Sequence, residues 1–334
     1  MNHPFPLLKH LATLLGKRLA GLVTILLGVS LLTFTLYYIS PGDKALTISN
    51  ARYMGEGDVP PEVVEAIREE FALDEPFPVQ FWHWISGFLQ GDFGKSLVSQ
   101  EDVLLIFLPN LAETLELAAT ALALGLSLAF LLSLVSVWKP GSIWDRLAVA
   151  FSSIGAAVPS YWLGLILILV FAAKLQWLPS FGSGSLEQLV LPAVTLGFWI
   201  TTSQTRLLRT FLLEASEAPF IEALRLRGVP EGEIFRRHIL RHAMIPAIAM
   251  IGLDFAALLE GSIIVEVIFS RGGVGSLFVG SILSRDYPLL LFLVLFAACS
   301  YVILNSLIEL LQDWLSPHSL QGNRPSLTGG VKKS

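Results

Sequence analysis

The chain has 334 residues, 54% of them hydrophobic and only 15% charged, against about a quarter charged in a typical soluble domain. That composition excludes an ordinary water-soluble globule. The net charge of −5 gives no sign of a nucleic-acid partner, and the single cysteine, Cys299, excludes an internal disulfide and a cysteine-based metal site.

The first uncharged apolar run covers residues 19–39, enough for the roughly 20 residues that cross a bilayer. Lys9, Lys17 and Arg18 precede it as they would a signal peptide. Its apolar core is too long for one, and Ser40-Pro41-Gly42-Asp43 is a poor cleavage site, so it is read as an uncleaved span. Residues 41–109 form a long acidic segment outside the membrane. Within it, Pro60-Pro61 opens an amphipathic helix with Val63, Val64, Ile67 and Phe71 on one side. Residues 77–89 then concentrate Phe77, Phe81, Trp82, Trp84 and Phe88, which reads as an anchor at headgroup level. The stretch Asp92-Phe93-Gly94-Lys95-Ser96 lacks the first glycine of a phosphate loop, so no ATP site is expected in this chain.

Residues 117–137 and 147–173 are the second and third spans, joined by a tight turn at Lys139-Pro140-Gly141 that predicts an antiparallel pair. Residues 189–205, with Pro192, and 243–265, with Asp254 and Glu260, are the fourth and fifth. Residues 287–307 are the sixth. Pro159 and Pro192 can kink their helices. The expected fold is therefore an all-α integral membrane protein of about six transmembrane helices. Its parts are a stub with the first span (1–40), the outer segment (41–109), a five-helix core (110–315) and a tail (316–334) expected to be disordered. Lys139, Arg146, the seven arginines from Arg206 to Arg241, and Lys332 and Lys333 fall on one side of these spans. By the positive-inside bias both termini are cytoplasmic.

The inner segment 212–245 reads as helix, turn, helix: residues 212–227, a break at Gly228-Val229-Pro230, then 231–242. Phe220, Ala223 and Leu224 make a small apolar ridge ended by Gly228, a shape suited to a groove on a partner; the bland alternative is a hairpin lying on the membrane. His238 and His242 are four apart, but Arg236, Arg237 and Arg241 around them would repel a divalent cation, and no metal is assigned there.

On these residues the chain resembles a known family. Phe220-Ile221-Glu222-Ala223-Leu224-Arg225-Leu226-Arg227-Gly228, with Arg237-His238-Ile239-Leu240-Arg241-His242-Ala243 and Pro246, is similar to the Glu-Ala-Ala loop of bacterial ABC importer permeases, in particular the dipeptide, oligopeptide and nickel branch. Pro41-Gly42-Asp43, Gly91-Asp92-Phe93-Gly94, Trp177-Leu178-Pro179 and Arg285-Asp286-Tyr287-Pro288 extend the likeness along the chain. Phe269-Ser270-Arg271-Gly272-Gly273 departs from the branch's usual run before the last span, and Glu260 stands where a small residue is common.

The resemblance implies a type I importer fold in the bacterial inner membrane. It implies a second permease making a heterodimer, two cytoplasmic ATPases, and a periplasmic or lipid-anchored solute-binding protein. The cargo would be small peptides or chelated, nickel-type metal. The chain would bind no cofactor, with ATP and magnesium on the ATPases. Phe220, Glu222, Ala223, Leu224, Arg227 and Gly228 would form the helix that docks on an ATPase. Asp254 and Glu260 are candidates for the substrate path, although a spacing of six turns one about 240° from the other on an ideal helix; a carboxylic acid bonded to a neighbouring helix is the equal alternative for Asp254. The rival functions are a membrane-embedded enzyme using intramembrane carboxylates and a secondary transporter. The enzyme predicts turnover by the chain alone, and the transporter an inverted repeat of broken helices that is not found.

Overall fold

A computed structural model describes residues 5–52 and 59–315; the tail expected to be disordered, residues 316–334, lies outside the described residues. Those residues form helices, with one isolated bridge between Lys95 and Asp102. In chain order they are α1 (Phe5–Ile39), α2 (Lys44–Arg52), α3 (Pro61–Glu70), α4 (Phe77–Leu89), α5 (Val103–Trp138), α6 (Ile143–Ala156) and α7 (Ser160–Leu167), which a π-helical turn prolongs to Lys174. There follow α8 (Leu186–Ser216), α9 (Pro219–Leu226), α10 (Glu231–Ile234), α11 (Leu240–Ile268), α12 (Val274–Leu283) and α13 (Tyr287–Leu315).

Ala20–Ile39, Val103–Trp138 and Tyr287–Leu307 are each long and apolar enough to cross a membrane, and α6 with α7 makes a fourth candidate only as a bent pair. α8 and α11, with 31 and 29 residues, also exceed the roughly 30 Å hydrocarbon core at about 1.5 Å per residue. They read as less apolar because they carry Thr195, Thr201, Thr202 and Gln204 on α8, and Asp254, Ser262 and Glu266 on α11, all buried against protein. About six spans thus make an all-α integral membrane protein.

Two expectations change. The third span is not one helix: it breaks after Ala156, and its two halves meet at 102°. Pro159, at φ −64° and ψ 135°, supplies no N–H and holds Val158 out of the α region. The second span touches the third, but α5 packs most extensively on α8. And α5 begins at Val103, so its helix starts inside the segment expected over 41–109; α2 and α12 were also not foreseen from the sequence.

The α5–α8 contact follows from residue size. The buried positions of α5 include Ala118, Ala121, Gly125, Ala129, Ser133 and Ser136, a stripe of small residues on one face. Between helices in lipid there is no hydrophobic driving force, so backbone approach and packing decide the partner. A Cβ at Gly125 would lie 2.7 Å from the Gly197 carbonyl oxygen, and one at Gly197 would lie 2.8 Å from that of Ala121. Neither obstacle can rotate away.

The helices between α1 and α5 seat α1 against the rest. Phe34 is buried, with the rings of Phe77, Phe81 and Trp84 at 5.6, 5.5 and 5.3 Å. The aromatic run of α4 therefore turns mostly inward, leaving Trp82 as its exposed ring. The far end of this segment is pinned to α13, where Asp286 accepts from Ser96 Oγ at 2.5 Å and from the Leu97 N–H at 3.0 Å.

Gly197→Val should prevent α5 and α8 from closing and cost about 1–3 kcal/mol, the usual penalty of overpacking. A thermal unfolding midpoint in detergent equal to that of the unaltered chain would show that this contact does not govern stability.

Candidate functional site

The loop between α8 and α11 is built on one buried residue. α8 stops at Ser216, and Ala218 is extended (φ −64°, ψ 137°) before Pro219 opens α9. The single helix expected over 212–227 is therefore two, because proline favours an extended predecessor. Ile221 of α9 is fully buried among Leu212, Ala215, Ile234, Ile239 and Ala243, with Leu134 and Val137 of α5 against the same cluster. The second expected helix is not separate either: α10 runs through a π-helical turn, Phe235–Ile239, straight into α11.

Anchored there, α9 presents its other faces. Phe220, Glu222, Ala223, Arg227 and Gly228 are exposed, and Leu224 is half-buried. Leu226, omitted from the expected ridge, is 84% exposed. Gly228 has φ +78°, with no atom within 4 Å of where a Cβ would stand. Its requirement is thus conformational, set by a left-handed turn that side chains other than glycine resist. Arg225 bonds Glu231 at 2.7 Å across that turn; its guanidinium is held above the ordinary arginine pKa, chiefly by the Glu231 hydrogen bond. Sequence reasoning missed Ile221 as the anchor, although its one-residue offset turned it about 100° away from Phe220 on a short helix.

Asp254 and Glu260 are not brought together. Asp254 is buried and accepts a hydrogen bond from Nε2 of the fully buried Gln204 on α8. Glu260 is exposed on another side of α11. Gln204 Oε1 is buried with no hydrogen-bond partner among the described residues. No group of three or more potential metal-ligating side chains occurs among the described residues.

Three further polar clusters escaped the sequence reading. On the loop side, Arg209 of α8 bonds Asp145 of α6 at 2.7 Å, and Asp145 also accepts from Ser136 Oγ and, at 2.8 Å, from the Gly141 N–H. At the opposite end, Glu266 is fully buried and accepts from Thr114 Oγ1 (2.7 Å) and from the N–H groups of Gly275 (2.8 Å) and Ser276 (3.0 Å). The buried Arg271 bridges Glu113 and Glu116, each at 2.5 Å. Glu266 falls just beyond the expected end of the fifth span and Arg271 in the following loop. Charge there signals an interface, but nothing in spacing names the partner.

Glu266→Ala should leave a buried N–H, a half-buried N–H and a hydroxyl without an acceptor, a loss of about 1–3 kcal/mol for each buried group that stays unsatisfied. The thermal midpoint should fall, with faster hydrogen exchange at the start of α12; wild-type exchange there would refute the assignment.

Comparison with known proteins follows the same outline. Residues 110–320 match the family described as binding-protein-dependent transport system inner membrane component, and residues 11–118 match its N-terminal counterpart. The chain is 35% identical over 306 residues to the glutathione transport system permease protein GsiC of Salmonella typhimurium, covering 90% of this chain and 96% of that protein. The GsiC protein of Escherichia coli strain K12 gives the same identity and coverage. Among solved structures, an amino acid ABC transporter with histidines aligns at a TM-score of 0.51 and 16% identity, over 63% of this chain and 94% of that one. That likeness concerns the fold.

Proposed function

The chain belongs to the family of binding-protein-dependent transport system inner membrane components, and from that premise we propose that it forms, with a second permease subunit, the translocation path of an ATP-driven importer of small peptides. It is a multi-pass inner-membrane permease component with a type I importer fold, and ATP hydrolysis belongs to separate subunits. The observation that carries the cargo class is the identity of 35% across 90% of the chain to a permease named for glutathione, itself a tripeptide. Chelated metal, the other cargo considered from sequence, has no comparable support.

In this reading the face of α9 bearing Phe220, Glu222, Ala223, Leu224, Arg227 and Gly228 docks on a cytoplasmic ATPase that holds ATP and magnesium. A solute-binding protein delivers cargo at the other side. The short, exposed helix with a buried Ile221 supports this, because force applied to it reaches α8 and α11 through one packed cluster. Glu260, exposed on α11, is assigned to the path or to the second permease. Asp254 is assigned a positioning role between α8 and α11, since its carboxylate is occupied by Gln204.

The orientation is tested by thiol labelling in intact cells with Cys299 replaced. Glu75→Cys should react with an impermeant reagent, and Leu226→Cys only after permeabilisation; the reverse pattern would invert the topology. Coupling is tested at Gly228. Gly228→Val should strain the loop by roughly 1–2 kcal/mol and reduce binding-protein-dependent peptide uptake, with the chain still inserted, whereas Gly228→Asn should retain most of it. Wild-type uptake by the valine variant would remove this turn from the coupling surface. Asp254→Asn, which preserves a hydrogen bond to Gln204, should leave uptake within about twofold of wild type, a margin below 0.5 kcal/mol. A larger loss with normal assembly would return Asp254 to the path.

A further inference from the structure

Where the inner loop re-enters the membrane, a cavity of about 570 Å³ opens between α9 and the start of α11. Arg236, Arg237, His238, Arg241 and His242 line it, with Phe220 and Ile245 at its apolar edge. The Phe220 ring stands edge-on to His242 at 5.6 Å and so forms one wall. Of the three arginines, Arg237 is paired with Glu233 at 2.7 Å; Arg236 and Arg241 have no carboxylate partner among the described residues. The charge that makes the histidine pair hostile to a cation makes the cavity attractive to an anion.

Depth distinguishes which anion. Ile239 and Ala243, flanking Arg241, pack in one cluster with Leu134 and Val137. These belong to the last turns of α5, which ends at Trp138, a ring 90% exposed. Exposed tryptophan at a helix end marks the membrane–water boundary. Arg241 therefore lies at headgroup level. Four and seven residues further on, Ile245 and Ile248 continue the same side of the helix and are 40% and 46% exposed. A charged pocket that opens onto an apolar stripe one turn deeper is amphiphilic along the membrane normal. A free phosphate would use only the first half of it, and a water-soluble subunit could not reach the second.

We propose that this cavity binds the phosphate headgroup of an anionic phospholipid of the phosphatidylglycerol type, with its acyl chain lying along Ile245 and Ile248. Arginine donors suit a phosphodiester, and basic pockets on the cytoplasmic side of membrane helices are suited to such headgroups. The lipid would fill the space beside α9 and brace the turn that carries the docking face. This inference rests on the inward placement of the loop proposed above, which labelling of Leu226→Cys reads independently.

The test uses the delipidated full-length chain in neutral detergent. Its unfolding midpoint is followed during titration with dioctanoyl phosphatidylglycerol, dioctanoyl phosphatidylcholine and inorganic phosphate. Phosphatidylglycerol alone should raise the midpoint. Arg236→Gln with Arg241→Gln should weaken that response roughly thirtyfold, at about fivefold per arginine near a membrane surface. Ile245→Gln should weaken it with all three arginines intact. If the double variant is too unstable to titrate, native mass spectrometry of Arg241→Gln alone should show less retained phosphatidylglycerol. An unchanged response or retention in the arginine variants overturns the proposal. So does an equal shift with inorganic phosphate, which would mean a free-anion site. Efficient disulfide cross-linking of Ile245→Cys to a second permease in the assembled importer would overturn it too, since protein would then occupy the stripe.

Discussion

The contact on which the rest of the molecule depends is the approach of α5 to α8 at Gly125 and Gly197, where a methyl group on either would meet backbone within 3 Å. Lipid tails are as apolar as leucine, so these helices gain little by hiding apolar surface from one another and much by close packing. The alanines and serines that make α5 thin also let Thr201 Oγ1 reach the Gly125 carbonyl at 3.4 Å. Once α8 lies in that groove, its other faces are committed: Gln204 meets Asp254 on α11, and Arg209 reaches Asp145 on α6.

The buried charges form a second, dependent layer. Apart from Asp254, in the middle of α11, each stands near the end of a helix and accepts from, or bridges, groups on a neighbouring turn. Asp145 closes the α5–α6 turn, Glu266 caps the entry to α12, Asp286 ties the outer segment to α13 and Arg271 joins α5 to the loop after α11. A carboxylate away from water is tolerated where hydrogen bonds replace its hydration, and turns supply free N–H groups where a helix interior has none. The same chemistry that satisfies these charges therefore joins the ends of non-consecutive helices.

α9 is exposed on one face and anchored on another within eight residues. Ile221 shares a cluster with α8, α10 and the start of α11, while Phe220, Ala223 and Leu226 stay uncovered. α10 passes through the Phe235–Ile239 turn into α11, so the loop is continuous with the helix carrying Asp254 and Glu260. The lipid proposed between α9 and α11 would brace that connection further.

What the sequence determined by itself is what depends on local composition. Uncharged runs of bilayer length located the membrane helices, Pro60-Pro61 set the start of α3 to within a residue or so, and the 220–228 run marked the loop between α8 and α11. These signals are legible because the bilayer thickness and the missing proline N–H act on a segment wherever its neighbours lie. Only the tertiary structure decided that 147–173 breaks by 102°, that α5 prefers α8, that Ile221 anchors α9 and that Asp254 faces Gln204. Pro159, Pro109, Pro192 and Pro246 look alike in sequence, yet the last three lie inside continuous helices. The difference is whether neighbouring helices supply the packing that holds the chain straight across the lost hydrogen bond. That is a non-local quantity, as is the identity of a buried carboxylate's partner, which here lies as far as 190 residues away in the chain.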